Sequence, residues 1–289
     1  MELNKGQKYI CLLAPSFASQ YEYPNIIYKL RMLGFDKVVE ITFGAKMTNL
    51  TYYTVLKESI EKKEKKTWIA SPCPTLVNII KGKFPNLVPN LVPVHSPMTC
   101  MALICKKFYP NHKIVFIGPC FTKKIEAKET GYIDQVLTFS ELNKEFEKKK
   151  IPNTITDPKY CISFDKFYND YTKIYPISGG LSSTLNYRKL LKKDEILVKE
   201  GINNLIPIFE QFKDGVYKKY KFLDILACEG GCINGPGMDI NDDIATRKRK
   251  ILKYRDYAER YEKDLGRTGL KVHAEDINFR RNFNGQIYE

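Results

Sequence analysis

Long apolar runs are missing from this sequence. No stretch approaches the roughly 18 apolar residues that a membrane-spanning helix needs, and the N-terminal apolar piece, Tyr9 to Ala14, is too short for the core of a secretory signal. No membrane association is expected, and the cytoplasm is the expected location. Acidic residues are also in short supply, 33 against 47 lysines and arginines, for a formal charge of +14. A field of that sign steers acidic partners, such as nucleic acid or a small acidic electron carrier. The basic residues are not interleaved with aromatics as in a recognised nucleic-acid module, so nucleic acid is the less expected of the two. No internal repeat divides the chain.

What is present is enough for a core. The 289 residues are 43% hydrophobic and 12% aromatic, which suits one or two globular domains. Eight cysteines could pair evenly, but they lie mostly far apart in a chain too long and core-rich for a disulfide scaffold. Reduced thiols with a metal role are the better reading.

The stretch FLDILACEGGCINGPGM, Phe222 to Met238, reads as an apolar strand to Ala227 that stops at Cys228 and enters a glycine-rich turn holding a second thiol, Cys232. Gly230, Gly231, Gly235 and Gly237 remove β-carbons around these sulfurs, which lets backbone N–H groups approach an anionic cluster and permits positive φ. Two thiolates cannot close a four-ligand site. TWIASPCP supplies Cys73 just after the strand-like Thr67 to Ala70, and KIVFIGPCFTKKIEA supplies Cys120 just after Lys113 to Ile117. Open α/β sheets gather ligands at strand carboxyl ends, so Cys73, Cys120, Cys228 and Cys232 are expected to converge. Four thiolates suit a cubane iron–sulfur cluster or a tetrahedral zinc. Cys11, Cys100, Cys105 and Cys161 read as core thiols.

The periodicity predicts alternating strands and helices. Strands are expected at Lys8–Leu13, Phe35–Thr42, Gln135–Thr138, Glu195–Lys199 and Tyr220–Ala227, besides those before Cys73 and Cys120. Helices are expected at Asn25–Leu33, Asn49–Lys65, Thr75–Lys81, Pro97–Phe108, Thr122–Lys128, Glu141–Lys148 and Leu181–Leu191, with a loop at Lys149–Pro158. This is the pattern of an α/β fold with parallel sheet. Residues 1–238 read as one domain. Residues 239–289 read as a charged helical extension packing on it, with a helix at Asp242–Leu265, a basic patch from Arg247 to Lys250 and no nameable chemistry.

The segments SPCP, GPCFTKKIEA and LACEGGCINGPG resemble the three signature motifs of the catalytic H-cluster domain of iron-only ([FeFe]) hydrogenases. LAPSFA, FGAKMT, FPNLVPNLVPVHSPM and PISGGLSSTLNYR extend the resemblance over roughly residues 8–238, and its look is nearest to the hydrogen-sensing branch. The resemblance implies two lobes of mainly parallel twisted sheet flanked by helices, with the metal cluster between them at strand carboxyl ends. It implies that the four cysteines hold a [4Fe-4S] cubane and that Cys232 also bridges to a two-iron subcluster bearing CO, CN⁻ and azadithiolate. Lys123 matches the family lysine that points its ammonium at a cyanide, and Glu126, three residues on, is placed to balance that charge. Ser16 and the Pro15 backbone match groups that hydrogen-bond the other cyanide.

The departures bear on rate. Pro72 stands where fast enzymes have a proton-relaying cysteine, and Val92 stands where a relay serine is expected. No acidic counterpart appears in Asn49 to Leu56, and Met98, Gly118 and Leu226 replace a glutamine and two methionines near the two-iron unit. Slow, reversible interconversion of H₂ with protons and electrons is expected, with a sensing role or a metabolic one. Glu229, between the two last cysteines, is the expected substitute proton carrier. The alternative is a noncatalytic [4Fe-4S] protein related to nuclear-prelamin-type assembly factors, which usually carry an N-terminal cysteine group not found here. No ferredoxin-like CxxCxxC module or PAS or kinase region is seen, so an acidic ferredoxin-like carrier is expected to supply electrons. Hydrogenase maturation proteins are the other expected partners.

Overall fold

The structure is a computed structural model that describes residues 3–4, 6–153, 163–185, 190–261, 269 and 271–283. Two separate parallel sheets organise it. The first is four-stranded, built from β1 (Lys8–Leu13), β2 (Lys37–Glu40), β4 (His112–Gly118) and β5 (Gln135–Thr138) in the order β2-β1-β4-β5. The second is three-stranded, built from β3 (Trp68–Ile69), β6 (Ile196–Glu200) and β7 (Phe222–Leu226) in the order β3-β7-β6. Parallel strands need crossovers, and helices between the strands supply them: α1 (Asn25–Leu33), α2 (Thr42–Glu61), α3 (Pro74–Lys83), α4 (Pro97–Phe108), α5 (Lys123–Thr130), α6 (Phe139–Lys148), α7 (Gly180–Thr184) and α8 (Ile202–Glu210), while α9 (Ile244–Tyr261) follows the last strand. The expected α/β architecture, two parallel sheets flanked by helices, is the one observed.

Burial follows from the coverage of both faces. In β1 the residues Tyr9 to Leu13 are all buried, and in β7 all five are. Continuous apolar runs of this kind mark strands covered by helices on both faces. Separate apolar clusters form around the first sheet, around β7 with α3 and α8, and around Tyr52, Trp68 and Phe222.

Register decides where the loops meet. In the first sheet Leu13 pairs with Ile117, and the Ala14 N–H donates to the Ile117 carbonyl at 2.9 Å. That sets Ala14-Pro15-Ser16 beside Gly118-Pro119-Cys120. In the second sheet Ile69 pairs with Leu223, and the Ala70 N–H donates to Leu223 O at 2.9 Å, which brings Pro72-Cys73 to the end of β7. Two pairs of strand ends thus point toward one region.

Several expected bounds shift. The strand read as Phe35–Thr42 is only Lys37–Glu40, because α2 begins at Thr42, well before the expected helix start at Asn49. The reason is packing: a β-carbon on Gly44 would lie 2.5 Å from the Pro97 carbonyl and 2.8 Å from Met101 Cβ, so this glycine lets α2 and α4 touch. Replacing Gly44 by Val should therefore destabilise the fold by about 1–3 kcal/mol through overpacking. The denaturant midpoint measures this, and an unchanged midpoint would show that α2 and α4 can part without cost. Helix α8 was not expected; Pro207 lies inside it, and Leu205, Ile208 and Phe209 are buried. Helix α7 ends at Thr184, and the rest of the expected Leu181–Leu191 helix lies largely outside the described residues, as do parts of the loop Lys149–Pro158 and of the helix to Leu265. No helix among the described residues is long and apolar enough to cross a membrane.

Candidate metal centre

Cys73 is the N-cap of α3, Cys120 follows β4 by one residue after Pro119, and Cys228 and Cys232 flank the turn after β7. The Leu76 and Ala227 backbones face the Cys73 sulfur, so the first turn of α3 contributes to holding a thiolate there. The Cys120 sulfur lies 2.9 Å from Thr122 Oγ1, which in turn meets Thr75 Oγ1 at 2.8 Å, tying the α3 and α5 ends together. All four thiols are partly exposed, whereas Cys11, Cys100 and Cys105 are fully buried in the first core. Cys161 lies outside the described residues.

The four thiols act on one another electrostatically. Burial pushes Cys228 up to about 12, with Cys73 and Cys120 adding to the shift. Burial raises Cys232 too, followed by the charges of Cys73, Cys120 and Cys228, with Lys123 opposing. Cys73 is raised by burial and, less, by Cys120. Thiolates this close do not ionise together unless a cation joins them, and a metal core is such a cation. Among the described residues no three His, Cys, Asp or Glu side chains converge tightly enough to hold one metal ion. A cubane takes one thiolate on each of four irons, so it suits a wider spacing than a single zinc does.

The Gly231 backbone makes close contacts within the protein. Its φ of +88° is in the left-handed region, its N–H donates to Cys228 O at 3.1 Å, and a β-carbon there would meet Pro176 O at 2.5 Å. The space is filled by protein and the N–H is committed, so this residue shapes the turn.

A cavity of about 80 Å³ opens beside the thiols. One water needs roughly 10–15 Å³, so a polyatomic group fits. Pro15, Ser16, Cys120, Lys123 and Cys232 line it. Ser16 is fully buried, and its Oγ has no hydrogen-bond partner among the described residues, as suits a group meant for a ligand. Pro72, Met98 and Leu226, three of the departures, form apolar wall.

The Lys123 ammonium reaches into this wall from α5. It donates to Glu126 Oε2 at 2.6 Å, Ser96 Oγ at 3.0 Å and Pro72 O at 3.2 Å, which uses its three protons. Glu126 is only 2% exposed; Thr99 Oγ1 donates to its Oε1 at 3.1 Å, and Arg281 Nη1 lies 3.5 Å from the same oxygen. Burial pushes this carboxyl up, but Lys123 and Arg281 outweigh burial and hold it below the ordinary glutamate range. The ion pair thus stays charged inside the protein.

Three lining or supporting groups escaped the sequence reading. Asp224, in the middle of β7, is 2% exposed and lines the cavity. Its Oδ2 accepts from the Ser182 N–H at 2.9 Å, and burial raises its pKa. Tyr175 also lines the cavity, with a buried hydroxyl that has no partner among the described residues. Arg281 arrives from the C-terminal segment, where its N–H donates to Pro93 O at 3.0 Å. A lone acid inside an otherwise apolar strand could have flagged Asp224; nothing local could have flagged the other two. Glu229, expected near the chemistry, is exposed and does not line the cavity, because the turn at Cys228 swings its side chain outward against Gly201.

Residues 7–236 match the family described as iron only hydrogenase large subunit, C-terminal domain. The chain is 29% identical over 275 residues to iron hydrogenase 1 of Clostridium pasteurianum, an alignment covering 80% of this chain and 48% of that protein. It is 23% identical over 293 residues to the nuclear prelamin A recognition factor of Mus musculus, covering 79% of this chain and 62% of the other. The chain thus spans about half to two thirds the length of these relatives. In fold it is similar to a variant of the [FeFe]-hydrogenase HydA1 from Chlamydomonas reinhardtii, with a TM-score of 0.66 at 16% identity over 98% of this chain and 95% of the other.

Proposed function

We propose, on the premise that this chain belongs to the family of the C-terminal domain of the iron-only hydrogenase large subunit, that it interconverts H₂ with protons and electrons, slowly, at an H-cluster held by Cys73, Cys120, Cys228 and Cys232. When bound, the [4Fe-4S] cubane and a two-iron subcluster with CO, CN⁻ and azadithiolate ligands supply the redox chemistry. The observation that favours this over a bare cubane is the pair of polar groups on the cavity beside the thiols: the Lys123 ammonium and the unpartnered Ser16 Oγ. Neither has a use for a cubane alone, but both are donors suited to anionic diatomic ligands. The Lys123 bond to Pro72 O is the longest of its three and is the one a ligand would replace.

Maturation proteins would supply the subcluster, and an acidic ferredoxin-like carrier would match the +14 chain. Slow turnover at an apolar wall fits an H₂-sensing role. The relatives named as cytosolic Fe-S cluster assembly factors, 21% identical in Drosophila melanogaster, keep a second reading open, that of a cubane-only protein. Infrared spectroscopy of the matured chain separates the two. CO and CN⁻ bands are expected, and a full cubane without them would establish the second reading.

Proton supply is expected to run through Asp224. Pro72 offers no ionisable group and Glu229 points outward, whereas the Asp224 carboxyl borders the cavity and, being raised by burial, keeps its proton to higher pH than an ordinary aspartate. Its other side rests on α7, whose Ser183 and Thr184 line a separate surface cleft, so one short helix parts the carboxyl from water. Asp224→Asn should lower H₂ turnover by about 100-fold or more with the infrared bands intact. Glu229→Gln should cost far less, since water replaces an exposed carboxyl. The reverse ranking would return the relay to Glu229.

A further inference from the structure

We infer that Arg247, on α9 and beyond the stretch that matches the family, is a positioning residue for the Cys232 loop. By composition it belongs to a basic surface patch, ATRKRK, yet its side chain is 9% exposed while its neighbours Lys248, Arg249 and Lys250 are exposed. The guanidinium gathers the whole segment after Cys232. Nη1 donates to Ile233 O at 3.1 Å and to Asn234 Oδ1 at 2.9 Å, Nη2 donates to Ile240 O at 2.7 Å, and Nε donates to Asp242 O at 2.8 Å. Four of its five N–H groups are thus spent on residues 233–242, three of them on backbone carbonyls that no helix or strand would otherwise satisfy.

The rest of α9 reinforces the grip. Ile244 packs so closely on Gly230 that a β-carbon there would lie 2.5 Å from its Cγ2, and Ile251 closes a small apolar cluster with Ile177 and Ile233. Ile233 N–H reaches Pro176 O at 3.4 Å, and Ile177 bridges to Gly231, so the loop is pinned between α9 and the segment carrying Tyr175. Ile233 therefore receives two constraints, one from each side, immediately after the thiol. A planar fork fixed on four acceptors holds a loop in one geometry, which a lysine's single ammonium cannot reproduce. Outer partners that orient a ligand typically govern metal affinity by about 10–100-fold.

The inference rests on the cluster reading for its functional consequence but not for the clamp itself, and the experiment separates the two. Arg247→Met and Arg247→Lys are made in the full chain, with exposed Arg249→Met as control, and each is reconstituted with iron and sulfide. Chelator resistance of the bound cubane should fall about tenfold or more in Arg247→Met and by an intermediate amount in Arg247→Lys. The electron-paramagnetic signature of the reduced cubane should broaden or shift in both, which a loss of stability alone would not cause. Hydrogen exchange at residues 230–238 of the metal-free chain should speed up in both variants. Wild-type chelator resistance, signature and exchange in Arg247→Met would overturn the inference. If Arg247→Met does not fold, Arg247→Lys decides on the same readouts; failure of both to fold would make Arg247 a folding determinant and would also overturn it. If the wild-type chain takes up no cubane, the cluster reading fails, and exchange in the 230–238 loop still tests the clamp.

Discussion

Serine in place of Cys73, Cys120, Cys228 or Cys232, one at a time, should strip most cubane iron from the reconstituted chain. A hydroxyl does not ionise near neutral pH, so it brings neither the charge nor the soft donor that an iron–sulfur cluster takes from a thiolate. The loss should exceed the roughly 10–100-fold typical of removing an outer partner. Cys11, Cys100 and Cys105 provide the contrast. They are 0% exposed and packed in the first core, so alanine there should leave iron content whole while lowering stability modestly. Serine would be a poorer control at Cys11 and Cys105, since a buried hydroxyl without a partner costs about 1–3 kcal/mol, whereas the Cys100 thiol already donates to His95 O and accepts from Thr48 Oγ1. Iron and sulfide per chain, read beside the unfolding midpoint, separate the two groups. Full iron in two of the first four variants would end the ligand assignment.

The strand-end thiols were legible because their placement is local. A run such as KIVFIGPC announces both the buried strand and the turn that stops it, and parallel topology then gathers such ends without further information. Length and alternation likewise gave the α/β class. What stayed hidden depends on distant partners. Lys173 looks like one lysine among many, yet it is fully buried and bonded to Glu40 and the Tyr254 hydroxyl, a triad drawn from β2, the 171–174 turn and α9. Arg247 and Arg281 look like solvated charge for the same reason: Asn234 lies 13 positions from Arg247 in sequence, and Glu129 lies 152 from Arg281. The early start of α2 stayed hidden for the same reason, since glycine has a low helix propensity and only the contact of Gly44 with Pro97 and Met101 overrides it. Asp224 stayed hidden because the partner that fixes its carboxyl, the Ser182 N–H, lies 42 positions away in sequence.

Lys123→Ala should keep the cubane and lose the two-iron unit. The substitution removes a charge-assisted donor worth about 1.5–3 kcal/mol, or roughly 10–100-fold in retention of an anionic ligand, from a cavity whose other walls are largely apolar. The structure adds a second consequence. Glu126 would remain buried with Arg281 as its only cation among the described residues, at 3.5 Å. Its carboxyl lies below the ordinary range because Lys123 and Arg281 together outweigh burial, so removing Lys123 lets burial raise it. A depressed carboxyl contributes stability above its unfolded pKa and loses that contribution as pH falls through the folded value. The variant should therefore be less stable than wild type at neutral pH, with a deficit that shrinks as pH falls through the raised Glu126 value, and Lys123→Ala with Glu126→Gln should recover part of the lost neutral-pH stability while recovering none of the CO and CN⁻ bands. Lys123→Arg should not restore the bands either, because its fork matches carboxylate geometry and would be drawn to Glu126. Cubane iron, infrared bands and the denaturant midpoint at neutral and at acid pH are measured on the same preparations. Bands of wild-type intensity in Lys123→Ala would falsify the anchoring role and leave Lys123 as the counter-ion of Glu126 alone.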